Sequence, residues 1–350
     1  MINFDNKKTI LIILDGLSEE RISELSNLTP LEYALTPTID KIKDQGVHIK
    51  KVFCPDKRDP DSMTCILSML GVEESIIPRN RAYLEAISSN IIVNEDEVAM
   101  RCNLVKIMDN KLQSFNGEGL SRCDMAFISH NIKTVENLRF YHISDYRNLL
   151  ILKRSEEIME IPDLPPHENM GMSIEDLTKD LLKNEELFKF IEDNKFVVNN
   201  NEYMFYPWGV SEAVKLPSFE ELHGKTCSLI CNAEIVKGIG KAMKVHIPDL
   251  KNSTGDIDTD LKEKARMVIK EIETHDVVIA HINGTDEVSH RKDILGKVLF
   301  IERLDREFIN EIYNSIGRIK LIIASDHQTS SITGKHKMGP VDVICNQKYL

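Results

Sequence analysis

Three short apolar runs, Thr9–Leu14, Val277–Ile282 and Lys320–Ala324, are continuous rather than alternating. Strands buried on both faces of a parallel sheet have this pattern. The stretches between them carry helical periodicity. Thr36-Pro37 opens a helix that closes at Gly46, with proline in the first turn and glycine past the end. Further helices are predicted at about 259–273 and 292–313, the second with Ile294, Val298, Ile301, Leu304 and Phe308 along one face. Strand alternating with helix predicts an α/β sheet covered by helices on both faces. The middle of the chain differs: 99–108, 138–143 and 149–152 read as strands separated by polar turns such as Asp109-Asn110. The expectation is a small α+β insertion at 94–180 within a large domain formed by 1–93 and 181–350, the helix-rich stretch 174–193 carrying the chain back.

The length of 350 residues suits two such domains. The apolar fraction of 42% and charged fraction of 29% are those of a globular protein, and no run approaches the ~20 apolar residues of a membrane span. The opening MINFDNKK-TILIILDG reads as a first core strand, since its apolar run is short and ends in an acid instead of a signal-cleavage site. Seven cysteines without a CxxC pair argue against a disulfide framework and a zinc finger, and point to the cytosol. A net charge of −12 argues against a nucleic-acid partner, which needs clustered lysine and arginine. It leaves room for a small anionic ligand gripped by a few local cations or metals.

The candidate chemistry lies at the ends of the apolar runs. Asp15 closes the first, Asp286 follows the second in HINGTD, and Asp326-His327 closes the third. Ligands of open α/β sheets bind at the carboxyl ends of strands, so these side chains can converge. Each aspartate taken singly could equally cap the helix after its strand. Histidines shift that balance. Asp286 and His290 are spaced i, i+4 in DEVSH, on one side of a helical turn, and His336 follows Asp326-His327 by about one loop. Six carboxylate and imidazole groups without thiolate suit two divalent ions, Mn²⁺ or Zn²⁺ rather than Mg²⁺. In DPDSMTCILSMLGV, Ser62 stands at the start of an apolar helical run, either as a nucleophile activated by direct metal contact or, like Asp61, as a helix cap.

Taken in order, several segments resemble the archaeal-type cofactor-independent phosphoglycerate mutases of the alkaline phosphatase superfamily. They are DGLSEERISELSNLTPLEYALTPTIDKIKDQG, NRAYLEAI, VAMRCNLVKI, YRNLLILK, PPHENMG, EIVKGIGKAM, HINGTDEVSH, SDHQTS and HKMGPV. The resemblance spans nearly the whole chain. It implies an alkaline-phosphatase-like sheet with an inserted cap domain. One metal would be held by Asp286, His290 and His336, and the other by Asp15, Ser62, Asp326 and His327. Ser62 would be the catalytic nucleophile, and Arg81, Arg147, His167 and Lys237 would contact substrate. The implied reaction interconverts 3-phosphoglycerate and 2-phosphoglycerate through a phosphoserine, without 2,3-bisphosphoglycerate. Two departures fall on the substrate side: Asp61 and Met63 flank the serine where the family usually has Gly and Asp, and the stretch 112–121, LQSFNGEGLS, lacks the family's cation.

Two other readings share this core. A metal-dependent phosphatase, or a phosphotransferase acting on another small phosphorylated metabolite, would use the same ligands with a cap that admits water. A catalytically silent sensor would have little physical need of Ser62. The chain has no GxxxxGK[ST] loop for a nucleotide.

Overall fold

The computed structural model describes residues 1–4 and 8–348, which fall into two compact units, Met1–Ile77 with Lys215–Leu350, and Pro78–Val214. In the first, six strands form one sheet in the order Val47–Lys51, Val341–Cys345, Lys320–Ala324, Thr9–Leu14, Val277–Ile282 and Cys227–Ile230. The last four run parallel to one another, and Val341–Cys345 and Val47–Lys51 pair antiparallel at one edge. Every residue of the three strands recognised as apolar runs is buried, as their continuous hydrophobicity requires. Ile10, Ile12 and Leu14 share a core with Leu261, Ala265 and Val268 of the helix Leu261–Thr274 and with Ile301, Leu304 and Phe308. Leu11 and Ile13, which alternate to the opposite face, are as fully buried.

The helix expected over 292–313 is divided. Asp293 caps it by accepting from the Gly296 N–H, α-helix runs Ile294–Leu304, a π turn follows at Asp305–Ile309, and α-helix resumes over Asn310–Ser315. At the π turn the Asp305 carboxylate accepts from the N–H groups of Thr38 and Ile39, at 3.1 and 2.7 Å, and so caps the helix Pro37–Gln45. Local bulges of this kind serve a contact that a 3.6-residue repeat cannot reveal.

The second unit is built on an antiparallel sheet in the order Leu138–Ser144, Arg147–Lys153, Glu97–Met108, Asn201–Glu212 and Phe196–Val198, with Lys111–Ser114 beside Glu97–Met108. Its boundaries are wider than the expected 94–180. Asn201–Glu212 is a central strand paired along most of Glu97–Met108, and the helix Glu185–Asp193 buries Leu187, Phe190 and Ile191 in this unit's core. The stretch 174–193 therefore packs here instead of returning to the large unit, and the chain returns at 214–215. At the other end the helix Ala82–Ser88 packs Ala82 and Ala86 against Ala99, Leu149 and Ile151. Among the described residues, no helix is long and apolar enough to cross a membrane.

Candidate metal centre

Thr9–Leu14 lies between Val277–Ile282 and Lys320–Ala324, all three parallel and in register, so their carboxyl ends finish side by side. Asp15, Asp326 and His327 emerge there, each at most 2% exposed. None of the three aspartates acts as a helix cap. Asp15 and Asp326 lead into non-helical turns, and Asp286 lies inside the helix Gly284–His290, one turn before His290. The i, i+4 spacing brings His290 Nε2 to 3.0 Å from Asp286 Oδ2. His336 Nε2 approaches the other Asp286 oxygen at 3.4 Å and His290 Nε2 at 3.2 Å. His336 Nδ1 is turned away to the Pro60 carbonyl, 2.8 Å, and His290 Nδ1 to the Gly334 carbonyl, 2.8 Å, which leaves both Nε2 atoms facing Asp286.

A second group adjoins the first. His327 Nε2 lies 3.2 Å from Asp15 Oδ1 and 3.5 Å from Asp326 Oδ2. The His327 and His336 rings are 4.1 Å apart between centroids, so His327 stands between the two groups. Asp15, Asp326 and His327 offer ligand atoms within 4.8 Å of one another, as do Asp286, His327 and His336. Ser62 Oγ is 3.3 and 3.4 Å from the Asp15 carboxylate oxygens and 3.2 Å from His327 Nε2. Ser62 is the first residue of the helix Ser62–Met69, and Asp61 is the cap.

The electrostatics fit cations. Burial, with the charge of Asp15 next, pushes the Asp326 carboxyl up to about 6. Its Oδ2 accepts no hydrogen bond from any described residue. Burial and Asp286 also work against the Asp15 charge, yet its contacts with His281 and His327 hold it at about 2. Burial alone would lower His327, but Asp326 and Asp15 raise it to about 10. Contact with Asp286 lifts His290 to about 9. Imidazoles held as cations by three crowded carboxylates occupy the place of a more concentrated positive charge, and an oxygen-and-nitrogen donor set suits Mn²⁺ or Zn²⁺. The residues present therefore fit two divalent ions.

The four side chains expected to contact substrate do not all lie in one unit. Arg81, Arg147 and His167 belong to Pro78–Val214 and Lys237 to the other. Arg81 Nε is 2.9 Å from Glu85, and the His167 ring lies edge-on to Phe115 and Trp208 at 6.1 and 6.0 Å. Lys237 is within the helix Glu234–Ala242.

Three side chains that sequence reasoning did not single out stand against these residues. Arg101 lies over the Trp208 ring at 4.4 Å and meets Glu85 at 3.1 Å, beside a bulge in the pairing of Glu97–Met108 with Asn201–Glu212. Burial, then the nearby Arg81 charge, lowers it to about 10. His281 is buried beneath Asp15, its Nε2 3.2 Å from Oδ2. Thr329 is buried between Asp286 and His327. A charge inside VAMRCNLV and a histidine inside VVIAHI were visible signals, each interrupting an apolar strand. Thr329 gave none, because a threonine in a polar loop is unremarkable.

Comparison with known proteins places the chain in a family and a fold. A family model described as the Metalloenzyme superfamily matches residues 7–350. A Methanopyrus kandleri protein named 2,3-bisphosphoglycerate-independent phosphoglycerate mutase is 27% identical over 368 residues, covering 96% of this chain and 87% of that protein. Among solved structures, a Pyrococcus horikoshii protein superposes with a TM-score of 0.76 at 23% identity, covering 97% of this chain and 87% of the other. The cofactor-independent phosphoglycerate mutase of Thermoplasma acidophilum superposes at 0.60 with 18% identity, covering 98% and 90%. These structures share the fold. With the family match running from residue 7 to the last, the chain belongs to the Metalloenzyme superfamily.

Proposed function

We propose that this protein interconverts 3-phosphoglycerate and 2-phosphoglycerate, with Ser62 as nucleophile and without 2,3-bisphosphoglycerate. The observation that carries this reading is the Ser62 hydroxyl, 3.2 Å from His327 and 3.3 Å from Asp15 at the meeting point of the two carboxylate–imidazole groups. Relatives bearing the mutase name and matching end to end supply the substrate.

Asp286, His290 and His336 would hold one divalent ion and Asp15, Ser62, Asp326 and His327 the other. Mn²⁺ or Zn²⁺ in those positions would stabilise the attacking and leaving oxygens of an in-line displacement. Ser62 Oγ gives up its proton and attacks phosphorus; the Oγ–P bond forms as the ester bond to glycerate breaks, and the departing alkoxide takes up one proton in exchange for the one Ser62 lost. Glycerate then presents its other hydroxyl to the phosphoserine, and the reverse displacement restores Ser62. Water must be kept from the phosphoserine meanwhile, or the outcome is hydrolysis. Arg81, Arg147, His167 and Lys237, with Arg101 added, are the groups proposed to bind phosphate and carboxylate, which guanidinium forks match in pairs. The Pro78–Val214 unit would thus be the substrate-recognition domain. A cytosolic setting accords with the seven cysteines, none of which is in a disulfide among the described residues.

The test is to supply the Mn²⁺-loaded protein with 3-phosphoglycerate and follow 2-phosphoglycerate and inorganic phosphate together, with no bisphosphoglycerate added. The expected result is 2-phosphoglycerate without phosphate release. Phosphate as the main product would assign the phosphatase reading in its place.

A further inference from the structure

We infer that Thr329 is a positioning residue that fixes ligands of both proposed metal sites through one hydroxyl. This rests on the assignment of Asp286 and His327 as metal ligands. Thr329 Oγ1 lies 2.6 Å from Asp286 Oδ1 and 3.2 Å from His327 Nδ1, and the side chain is fully buried.

The direction of the proton follows from the chemistry of the groups. A carboxylate that holds a metal ion is ionised and can only accept. The Thr329 hydroxyl must therefore donate to Asp286. Its lone pair then accepts from the His327 Nδ1–H, which leaves Nε2, on the side of Asp15, Asp326 and Ser62, as the nitrogen that would give up its proton to hold an ion. One hydroxyl thus orients the carboxylate of one group and sets the tautomer of the imidazole of the other. Such outer contacts to metal ligands hold the ligand in its binding geometry before the ion arrives.

The backbone around Thr329 keeps that hydroxyl in place. The Thr329 N–H donates to the Ser18 carbonyl at 3.2 Å, and its own carbonyl accepts from Lys297 Nζ at 2.8 Å. Lys297 also pairs with Glu19 Oε2 at 3.0 Å, and Glu19 Oε1 accepts from the Ser331 N–H at 2.6 Å. Lys297 and Glu19 have side chains 0% and 3% exposed, an ion pair whose removal from water is costly unless every partner is satisfied. Here the partners are the Thr329 carbonyl and the Ser331 N–H and hydroxyl. Gly16 completes the enclosure: a Cβ there would overlap the Thr329 hydroxyl.

The experiment titrates metal-free protein with Co²⁺, following heat and the visible absorption of the bound ion, for wild type, Thr329→Val, Thr329→Ser and Thr329→Ala. Val keeps the shape and removes the hydroxyl, whereas Ser keeps the hydroxyl. The expected result is two Co²⁺ per wild-type chain, affinity weakened about 10- to 100-fold in Val and Ala with an altered spectrum, and near wild-type behaviour in Ser. If Val fails to fold, Ser against Ala reads the same hydroxyl. Wild-type affinity and spectrum in the variants lacking the hydroxyl would overturn the inference while leaving the metal assignment standing. A wild-type chain that takes up no Co²⁺ would instead overturn the metal assignment, and the role of Thr329 with it.

Discussion

The Asp61 carboxylate accepts from the Thr64 N–H at 3.0 Å and from the Thr64 hydroxyl at 2.9 Å. That contact caps the helix Ser62–Met69 and leaves the neighbouring serine free of capping duty. Ser62 accordingly turns its hydroxyl to Asp15 and His327, and the aspartate that departs from the family's usual glycine has a structural role of its own.

Ser62→Ala is therefore expected to abolish phosphoryl transfer, by on the order of 10³-fold or more, without loosening the helix. Two divalent ions should still bind, because six other ligands remain. The check is a rate measurement beside a metal-binding isotherm. Full activity in the variant would remove Ser62 from the mechanism, and loss of both ions would make it chiefly a ligand.

Much of this was legible in the sequence because the large unit obeys simple periodicities. Thr9–Leu14, Val277–Ile282 and Lys320–Ala324 are buried on both faces, so they read as unbroken apolar runs with the same bounds in sequence and structure. Their acids end adjacent strands, and convergence followed from the rule that parallel strands deliver ligands at their carboxyl ends. The insertion was harder. Asn201–Glu212 carries Tyr203, Phe205, Pro207 and Gly209, which breaks the expected pattern, and its proline sits in a central strand where proline seldom occurs. The far boundary was therefore placed too early. Contacts that bridge distant segments, such as Lys297 with Glu19 or Asp305 with the helix Pro37–Gln45, leave no trace in spacing.

Exhaustive chelation should both inactivate the enzyme and destabilise it. Without cations, the buried Asp15, Asp286 and Asp326 are compensated by imidazoles, N–H donors and the hydroxyls of Ser62 and Thr329, with no full positive charge other than on the imidazoles among these contacts. Ions that bind the folded chain and not the unfolded one add about 2.7 kcal/mol at a concentration one hundred times their dissociation constant. Thermal unfolding of chelated protein with and without Mn²⁺ reads this directly. A melting temperature indifferent to chelator and metal would sink the two-ion reading.

Gly16 has φ +60°, and a Cβ added there would stand 2.7 Å from Asp286 Oδ1 as well as overlapping the Thr329 hydroxyl. Gly16→Ala combines the ~1–2 kcal/mol cost of a left-handed alanine with the ~1–3 kcal/mol of overpacking. A loss of about 2–5 kcal/mol in denaturant unfolding is expected, together with weaker metal binding, because the atoms displaced belong to Asp286 and its partner. Unchanged stability and unchanged metal affinity would mean that the enclosure yields more readily than its packing implies.

Lys264 is 1% exposed, and its ammonium donates to the Thr254 carbonyl at 3.4 Å. Burial lowers its ammonium from 10.5 to about 8. A lysine whose folded value lies below its unfolded value costs stability wherever both states are protonated, so the full cost applies below about pH 8. Between about 8 and 10.5 the folded chain has released a proton that the unfolded chain still binds, and stability contributed by this group rises with pH. Lys264→Met removes the cost while keeping an unbranched side chain. It should stabilise the protein at pH 7 by roughly 1–3 kcal/mol and by much less at pH 10. Unfolding curves of wild type and variant at the two pH values test both statements. A variant less stable than wild type at pH 7 would show that the buried ammonium has partners strong enough to offset its removal from water.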